Sequence, residues 1–385
     1  MTSEQRKEVR YQRRKAAREE KRLAMLETHN FDSVASPDAL FKAAKEARRG
    51  VYWKASVQRY NMSLLRNSLK TSRELYAGED VRRGFIPFDI MERGKLRHIQ
   101  SVHFSERVVQ RSLCANALIP LLSRGLIYDN GASLANKGID FALRRVKRHL
   151  CRYYRAHGKA GYVVLVDFKG YFDNILHPPL YDLYTRIFGE DARLVGLASL
   201  FIDAFGEYGL GLGSETSQIN AITYPNSIDH YIKEVLRCKY YGRYMDDSYI
   251  ICETKEQAQE TLHILLQKYA EKGITVNRKK TAIVKLSHGF TFLKTHISLT
   301  DTGAVVFRPC RQSAVRQRRK LKKFKRFLDT GQMTMPDIRA SYMSWRGFVA
   351  HKNSRRTVHS MDVLYYQLFG VWPIIKKNKE VSQNG

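Results

Sequence analysis

Hydrophobic and polar residues follow patterns along the chain that predict strands with acidic residues at their ends. Residues 161–167 form a β-branched and apolar run that ends in Asp167, which is typical of a buried strand. Two shorter apolar runs, 239–244 and 248–252, flank Asp246 and Asp247 and predict a hairpin with both acids at its tip.

Helical spacing of apolar residues dominates the rest of the chain. Residues 1–28 favour an exposed helix or a frayed arm, and the chain beyond residue 308 is basic and helical. Further helices are predicted at 31–76, 106–122, 139–154, 179–205, 217–236 and 256–272, with a hairpin at 85–99 and short strands at 274–285 and 290–299.

Charge points to the class of partner. The 67 Lys and Arg exceed the 37 Asp and Glu, for a net charge of +30, and nucleic acid is the polyanion that most often balances such an excess. A membrane surface is not expected as a partner, since no apolar stretch approaches the ~18 residues of a membrane span. Five dispersed cysteines and an N-terminus without an apolar signal region favour a cytoplasmic location.

The three aspartates have both a catalytic and an ordinary interpretation. Adjacent acids at a hairpin tip are usually turn formers, and Asp167 alone is typical of a strand end or a helix cap. Nucleotidyl transfer, however, needs two divalent ions held by carboxylates. Asp167, Asp246 and Asp247 at the ends of neighbouring strands would supply such ligands on rigid mounts.

Five segments in order carry a family resemblance: VLVDFKGYFDN, LGSETSQ, YGRYMDDSYII, NRKKT and HGFTFLK. They resemble palm motifs A to E of reverse transcriptases over residues 85–300. The resemblance implies an α+β right-hand polymerase with fingers, an antiparallel-sheet palm that carries the YMDD hairpin, and a helical basic thumb. The implied parts are a basic N-terminal helix or arm (1–30), fingers (31–155), palm (156–300), and thumb with C-terminal tail (301–385).

The resemblance also assigns metal ligands and a proton donor. Asp167, Asp246, Asp247 and the carbonyl of Phe168 match the positions that hold two Mg²⁺ ions, with Mn²⁺ as an alternative. Lys280 resembles the motif D lysine that protonates the pyrophosphate leaving group as a general acid. Its neighbours Arg278 and Lys279 leave that assignment open.

Positions that match the nucleotide pocket follow from the same motifs. Phe172 lies where the family places the bulky residue that blocks a 2′-hydroxyl, so deoxynucleotides are expected, although core packing is the simpler role. Residues implied to contact the dNTP are Lys95, Arg97, Phe172, Leu212, Gly213 and Gln218. Surface charge is the alternative for Lys95 and Arg97.

Motif B departs from the usual Gln-Gly-x-x-x-Ser-Pro. Leu212 replaces the first Gln and Gln218 replaces the Pro, a form similar to that of reverse transcriptases from diversity-generating retroelements. In that family copying is error-prone at template adenines, and such enzymes use a structured template RNA and a small basic helical accessory protein. Loss of a hydrogen-bonding side chain offers a physical reason for relaxed pairing.

The C-terminal third resembles a thumb that holds an RNA/cDNA duplex. Phe292, Leu293 and Lys294 match the primer grip. Residues 316–326 place eight cations without an acid on a predicted helix, with Leu321 and Phe324 on its inner face. The candidate phosphate contacts are Arg316, Arg318, Arg319, Lys320, Lys322, Lys323, Arg355 and Arg356.

Other functions stay open at this point. No ribonuclease H or endonuclease segment is expected, and the compact form also fits an anti-phage defence enzyme or a retron-like enzyme. A catalytically silent RNA-binding protein with a retained palm is the alternative from another class. Three retained carboxylates argue against it, because without metals they repel one another. Phe172 argues against an RNA-dependent RNA polymerase.

Overall fold

The structure is a computed structural model that describes residues 1–92 and 94–374, without the side chains of Glu92 and Lys95. The chain divides into two compact units. Unit 1 consists of Met1–Arg145, Leu165–Ser248 and Gln259–Ala282, and unit 2 of Val146–Val164, Tyr249–Ala258 and Ile283–Gly385.

Three sheets contain the strands of the described chain. A hairpin pairs β1 with β2, a second sheet has the order β4-β5-β3-β6, and a third has the order β7-β8-β9. The strands are β1 (Phe85–Glu92), β2 (Lys95–Val102), β3 (Tyr162–Asp167), β4 (Tyr241–Tyr244), β5 (Asp247–Cys252), β6 (Ala282–Lys285), β7 (Phe290–Phe292), β8 (Thr295–Leu299) and β9 (Val305–Pro309).

Helices make up most of the described chain. They are α1 (Ser3–Thr28), α2 (Phe31–Ala35), α3 (Pro37–Ala47), α4 (Ala55–Met62), α5 (Leu64–Tyr76), α6 (Phe104–Leu113), α7 (Ile119–Ser123), α8 (Ile139–His157), α9 (Pro178–Phe188), α10 (Ala192–Asp203), α11 (Glu215–Thr223), α12 (Asn226–His230), α13 (Lys255–Glu271), α14 (Arg311–Asp329), α15 (Met335–Ala350) and α16 (Arg355–Phe369). A π-helical turn at Cys114–Leu118 joins α6 to α7, and another at Tyr231–Val235 follows α12. Short 3₁₀ turns lie at Phe172–Asn174, after β3, and at Leu286–His288, between β6 and β7.

Local sequence explains several helix ends. Thr2 and Gln5 form a capping box at the start of α1, so two amide groups at that end have acceptors. Ser36 caps α3, which has Pro at its first position, where a missing N–H costs nothing. Gly370 ends α16 in the left-handed conformation (φ 71°), which glycine adopts without steric cost.

Unit 1 has an apolar core between helices α2, α3, α6 and α11. Helix α6 packs against α3 and α11, and α2 also packs against α6. Val34, Leu40, Val108 and Leu113 are fully buried there.

Unit 2 has a core of its own in the C-terminal helices. Leu321 and Phe324 of α14 are buried in one cluster with Ile338, Tyr342, Met361 and Tyr365, as the sequence predicted for the inner face of that helix. Trp345 packs against this cluster and donates a hydrogen bond to Ser313 over 3.1 Å, so it is a packing residue.

The predicted helices over 179–205 and 217–236 are each interrupted. The first splits into α9 and α10 because Asp191 caps α10 by accepting a hydrogen bond from the amide of Leu194. The second breaks at Pro225, which has no N–H to continue the helical ladder.

Two predicted strands are shorter than expected. Of residues 274–285 only Ala282–Lys285 is a strand, and residues 290–299 form two strands separated by Leu293 and Lys294. The hairpin over 85–99, the strand that ends at Asp167 and the strands that flank Asp246 are present as the pattern predicts. Within the described residues, none of the helices combines the length and apolarity that a membrane crossing requires.

Candidate active site

Asp167 is the last residue of β3 and is held by a loop that follows α13. Asn277 donates a side-chain hydrogen bond to Oδ1 of Asp167 (2.9 Å), and the amide of Asn277 donates to the backbone carbonyl of Asp167 (2.7 Å). Nζ of Lys280 lies 2.8 Å from Oδ2. Both carboxylate oxygens of this buried residue therefore have partners from one short segment.

Asp246 and Asp247 lie at the turn between β4 and β5. Met245 has φ +54°, a left-handed conformation that costs a non-glycine residue about 1 kcal/mol or more. Asp247 is the first residue of β5, so a strand fixes one acid and the turn presents the other. The strained residue sits immediately before the candidate ligands, which is where such strain is often found.

The three carboxylates share one electrostatic environment. Burial raises the pKa of Asp246, and the charge of Asp167 adds to the shift, while the charges of Lys280 and Arg97 oppose it. Burial, followed by the charges of Asp246 and Asp167, raises the pKa of Asp247 to about 7. The structure thus brings the predicted triad together and leaves it with an excess of negative charge.

A buried ion pair lies under the turn. Nε of Arg243 is 2.9 Å and 3.0 Å from the two carboxylate oxygens of Asp229, and both side chains are fully buried. Arg243 also donates to the carbonyl of Met245 over 3.1 Å, and Tyr241 donates its hydroxyl hydrogen to Asp229. The guanidinium therefore fixes the backbone at the strained residue of the turn.

Lys280 is an exposed side chain whose ammonium group pairs with Asp167. The hydrogen bond with Asp167 raises the pKa of Lys280, and the charges of Asp167, Asp247 and Asp246 raise it further against the effect of burial. The ammonium group consequently stays protonated at neutral pH. It is the cation that faces the three acids from this loop.

Phe168 and Phe172 follow Asp167 on the same segment. Phe168 is buried, with its ring 4.8 Å from that of Tyr269, and its carbonyl takes no part in the two hydrogen bonds that bridge its neighbours to residues 275 and 277. Phe172 is half-buried, and its ring packs edge-on against Tyr171 at 5.9 Å.

The Gly-rich segment 209–213 lies against β2. The amide of Gln100 donates to the carbonyl of Leu212 over 2.9 Å. A Cβ on Gly213, which has φ +119°, would stand 2.9 Å from the Gln100 carbonyl, and one on Gly211 would stand 2.1 Å from the ring of Phe205. Glycine is required here because the two backbones approach closely.

The remaining predicted nucleotide contacts are described in part. Arg97 of β2 is half-buried and its charge acts on Asp246, so it faces the acids. The side chain of Lys95 lies outside the described residues. Gln218 is exposed, and its side-chain oxygen accepts a hydrogen bond from Ser133 over 3.3 Å.

Unit 2 holds the predicted primer-grip and phosphate-contact residues. Leu293 and Lys294 both have positive φ (47° and 59°), the signature of the tight turn that joins β7 to β8, and Phe292 is buried before it. The cations of α14 and of the start of α16 are exposed: Arg316, Arg318, Arg319, Lys320, Lys322, Lys323, Arg355 and Arg356.

A divalent ion fits the acids by charge. Within residues 1–92 and 94–374 no group of three or more His, Cys, Asp or Glu forms a ready-made cage for a metal ion. However, Asp246 and Asp247 have raised pKa values in a site with few cations, and hard carboxylate oxygens are the ligands that Mg²⁺ prefers. Added positive charge would relieve their repulsion.

Sequence reasoning missed the residues that support the acids. Arg243 had a visible signal, because it is a charged residue in a run predicted to form a buried strand. Asn277 is the first residue of the NRKKT segment, and the family resemblance assigned it no role. Asp229 carried no local signal, since its partner lies 14 residues later in the sequence.

The sequence matches one known protein family over more than half of its length. Residues 93–297, more than half of the chain, match the family described as "Reverse transcriptase (RNA-dependent DNA polymerase)". No curated protein matches the sequence.

Among solved structures, apo telomerase from Candida tropicalis truncated from its C-terminal domain is 16% identical. The alignment covers 57% of this chain and 54% of that one, with a TM-score of 0.45. Telomerase from Candida albicans in complex with a TWJ fragment of telomeric RNA is 12% identical. That alignment covers 74% and 55%, with a TM-score of 0.47. This chain thus spans about half the length of these telomerases.

The family match includes β3, the loop around Lys280 and the turn that bears Asp246 and Asp247, so the residues grouped by the structure fall within the matched segment. The chain belongs to the reverse transcriptase (RNA-dependent DNA polymerase) family.

Proposed function

We propose that this protein is an RNA-directed DNA polymerase that synthesises cDNA from an RNA template by two-metal nucleotidyl transfer. The observation that carries the proposal is the coupled group of Asp167, Asp246 and Asp247, in which burial and mutual repulsion raise the pKa of the last two. A protein without catalysis gains nothing from this repulsion, which disfavours the silent RNA-binding alternative.

Asp167, Asp246, Asp247 and the carbonyl of Phe168 are the groups proposed to hold two Mg²⁺ ions, with Mn²⁺ as a substitute. When bound, such ions supply positive charge to the transferring phosphoryl group and lower the pKa of the primer hydroxyl. The turn positions Asp246 and Asp247, because Arg243 holds the backbone at Met245, immediately before them.

Lys280 is proposed as the general acid. Its ammonium stays protonated because the bond to Asp167 raises its pKa, and it can donate a proton from Nζ to the leaving pyrophosphate oxygen. The side chain is 65% exposed, so it can leave Asp167 without breaking a packed core.

The nucleotide pocket is proposed to be lined by residues of β2 and of the adjoining Gly-rich segment. Arg97 would bind the triphosphate as a bidentate fork and Lys95 as a point charge, with Leu212, Gly213 and Gln218 nearby. Phe172, half-buried beside Tyr171, would exclude a 2′-hydroxyl. Incorporation of ribonucleotides as efficient as that of deoxynucleotides would contradict this role.

The parts of the hand are proposed to be a basic N-terminal helix (1–30), fingers (31–155), palm (156–300) with the YMDD hairpin, and thumb with C-terminal tail (301–385). Phe292, Leu293 and Lys294 would support the primer end. The exposed cations of α14 and α16 would contact the RNA/cDNA duplex through phosphates.

Primer extension on an RNA template tests the activity. Asp246→Ala and Asp247→Ala should each lower the rate by about a thousandfold or more, because each removes a ligand for the charge that stabilises the transition state. Asp173→Ala, an exposed acid near the site, is the matched control and should keep most of the rate. Unchanged extension by the Asp246 and Asp247 variants would remove the mechanism.

Within this activity we favour the diversity-generating subclass, which works with a structured template RNA and a small basic helical accessory protein. Leu212 supports it, because an aliphatic side chain stands half-buried where a hydrogen-bonding one would otherwise help select the paired base. Leu212→Gln should lower misincorporation opposite adenine. Sequencing of cDNA from both proteins provides the measurement, and identical adenine error spectra would contradict the role.

A defence-associated or retron-like reverse transcriptase is the other candidate within the class. The RNA that copurifies with the protein separates the two candidates. Attached cDNA that derives from a repeat beside a variable gene supports diversification, whereas cDNA copied from a short noncoding RNA of the same locus supports the retron-like function.

A further inference from the structure

Helix α1 extends from unit 1 as a long arm. Its 26 residues span about 39 Å at the α-helical rise. Residues 3–21 are all exposed, and Leu26, near the end of the helix, is its buried residue. Arg22 attaches this end by donating to the carbonyl of Ile187 (2.8 Å) and to Glu190.

Charge on α1 is sorted by face. At 100° per residue, seven cations fall within an arc of about 140° that contains no acidic residue. They are Arg6, Lys7, Arg10, Arg13, Arg14, Arg18 and Lys21, and we call this arc the basic face of α1. The acids of α1 all lie outside it, with Glu20 next to its edge: Glu4, Glu8, Glu19, Glu20 and Glu27.

The basic face is unsatisfied within the described chain. Ion pairs on α1 involve Arg22 with Glu19 and Glu190, and no side chain of the basic face forms an ion pair with any residue that the structure describes. Seven adjacent like charges repel one another, a cost that a polyanion removes. The basic face is therefore suited to bind a partner with closely spaced negative charges.

Apolar chemistry argues against a protein or a membrane as that partner. Ala17 is the only apolar residue of the basic face between Arg6 and Lys21, so the face lacks the aliphatic or aromatic anchors of a helix–protein interface. Val9, Tyr11 and Leu23 are exposed outside the basic face. Val9 and Leu23 are 14 residues apart, and Val9 and Tyr11 lie about 160° apart around the helix, so these side chains do not form the broad apolar stripe of a membrane-surface helix.

We infer that the basic face of α1 binds the phosphate backbone of folded RNA, outside the polymerase site. The inference rests on the proposed function in that it takes RNA as the substrate, and it adds a second point of attachment for that RNA. Phosphate contacts of this kind carry no sequence information, so α1 would fix the position of the template rather than select it.

The test compares two variants with the same net charge. In the first, Arg6, Arg10 and Arg14 of the basic face become Gln. In the second, three positions outside it gain an acid: Gln5→Glu, Gln12→Glu and Ala16→Glu. Both changes lower the charge by three and use residues with good helix propensity, and circular dichroism confirms the folded state of each.

Binding of a 30-base-pair RNA hairpin to the full-length protein is the readout, measured over a series of salt concentrations. The first variant should bind about ten-fold or more weakly at low salt, with a salt slope reduced by up to about three, since each lost phosphate contact removes close to one unit. The second should stay within about three-fold of the parent, because only the long-range field changes.

Equal RNA affinity of the two variants would overturn the inference. Equal RNA affinity together with weaker binding of a poly-glutamate peptide by the first variant would overturn it in favour of an acidic protein partner. Primer extension by the unaltered protein tests the polymerase proposal separately, so failure of one does not imply failure of the other.

Discussion

The turn between β4 and β5 and the outer surface of α14 are both rich in charge, yet they differ in how each charge is neutralised. Under the turn, Arg243 and Asp229 are buried against each other, and Arg243 also donates a hydrogen bond to the carbonyl of Met245. On α14, cations such as Arg318 and Lys322 lie in solvent without an acidic neighbour on that stretch. Buried paired charge fixes a geometry, whereas exposed charge of one sign selects a partner.

The largest effect in this comparison is expected from breaking the buried pair. Arg243→Met and Asp229→Asn should each lower the free energy of unfolding by about 3–5 kcal/mol, because each leaves one buried charge uncompensated. The double variant should lose less than the sum of the two. Urea denaturation of the three variants and the parent measures this coupling.

Strict additivity of the two changes would contradict the role of the pair. The catalytic consequence has its own readout: Arg243→Lys keeps the charge but loses the planar fork, so kcat should fall more than the KM for dNTP rises. Arg83→Lys, at an exposed arginine that pairs with Glu74, is the control and should change neither constant.

Removal of a carboxylate at the turn is expected to raise the free energy of unfolding, whereas breaking the buried pair lowers it. Folding raises the pKa of Asp247 to about 7, so ionisation costs more in the folded than in the unfolded protein. In metal-free buffer this penalty is absent near pH 4, grows as pH rises and is complete above pH 7. Asp247→Asn should therefore exceed the parent in stability by about 1–3 kcal/mol at pH 8 and match it at pH 4.

Thermal denaturation in a chelating buffer at both pH values provides that measurement. Asp173→Asn, at an exposed acid six residues after Asp167, is the control and should show no such pH dependence. A stability loss on Asp247→Asn at pH 8 would mean that the carboxylate has a stabilising partner and that the acids do not repel one another.

A smaller effect separates close approach from backbone strain. Gly213 and Gly84 both have positive φ (119° and 77°), but a Cβ on Gly84 meets nothing within 4 Å. Gly84→Ala should cost about 1–2 kcal/mol for the conformation alone. Gly213→Ala should cost roughly 1–2 kcal/mol more, since its Cβ would stand 2.9 Å from the Gln100 carbonyl. If urea denaturation shows that both variants lose the same free energy of unfolding, β2 moves away from the added Cβ at no measurable cost.

The smallest effect on stability is expected on α14. Arg318→Gln with Lys322→Gln should leave the free energy of unfolding within about 0.5 kcal/mol, because both side chains are exposed. The Kd for an RNA–DNA duplex should rise a few-fold and its salt slope should fall by about two. Lys325→Gln, whose ammonium pairs with Asp329, should change the slope less, and an equal change would contradict the assignment of this surface.

The features that the sequence predicted well depend on short-range patterns. Apolar alternation and the acids that end it located β3 and the turn at Asp246, and the spacing of Leu321 and Phe324 located the inner face of α14. Each of these needs only the periodicity of a strand or a helix. The local pattern was sufficient because neighbouring residues decide the outcome.

Long-range hydrogen bonds explain what the sequence did not reveal. Residues 274–281 have a composition typical of a strand. The segment is a loop instead, because Asn277 donates hydrogen bonds to Asp167, 110 residues earlier in the sequence. Asp229 is buried against Arg243 for the same kind of reason. Pro225, by contrast, was a visible helix breaker within a segment whose apolar spacing suggested one continuous helix.

Alternate glycines in residues 209–213 limit how this part of the protein can vary. Gly209, Gly211 and Gly213 each face backbone or ring atoms within 3.0 Å of an added Cβ, so any larger residue there must displace a neighbour. Leu210 is 2% exposed and belongs to the core. Of the five positions, Leu212 has an accessible side chain that can be replaced without moving the backbone. Substitutions that change the template preference of this segment are therefore expected at Leu212.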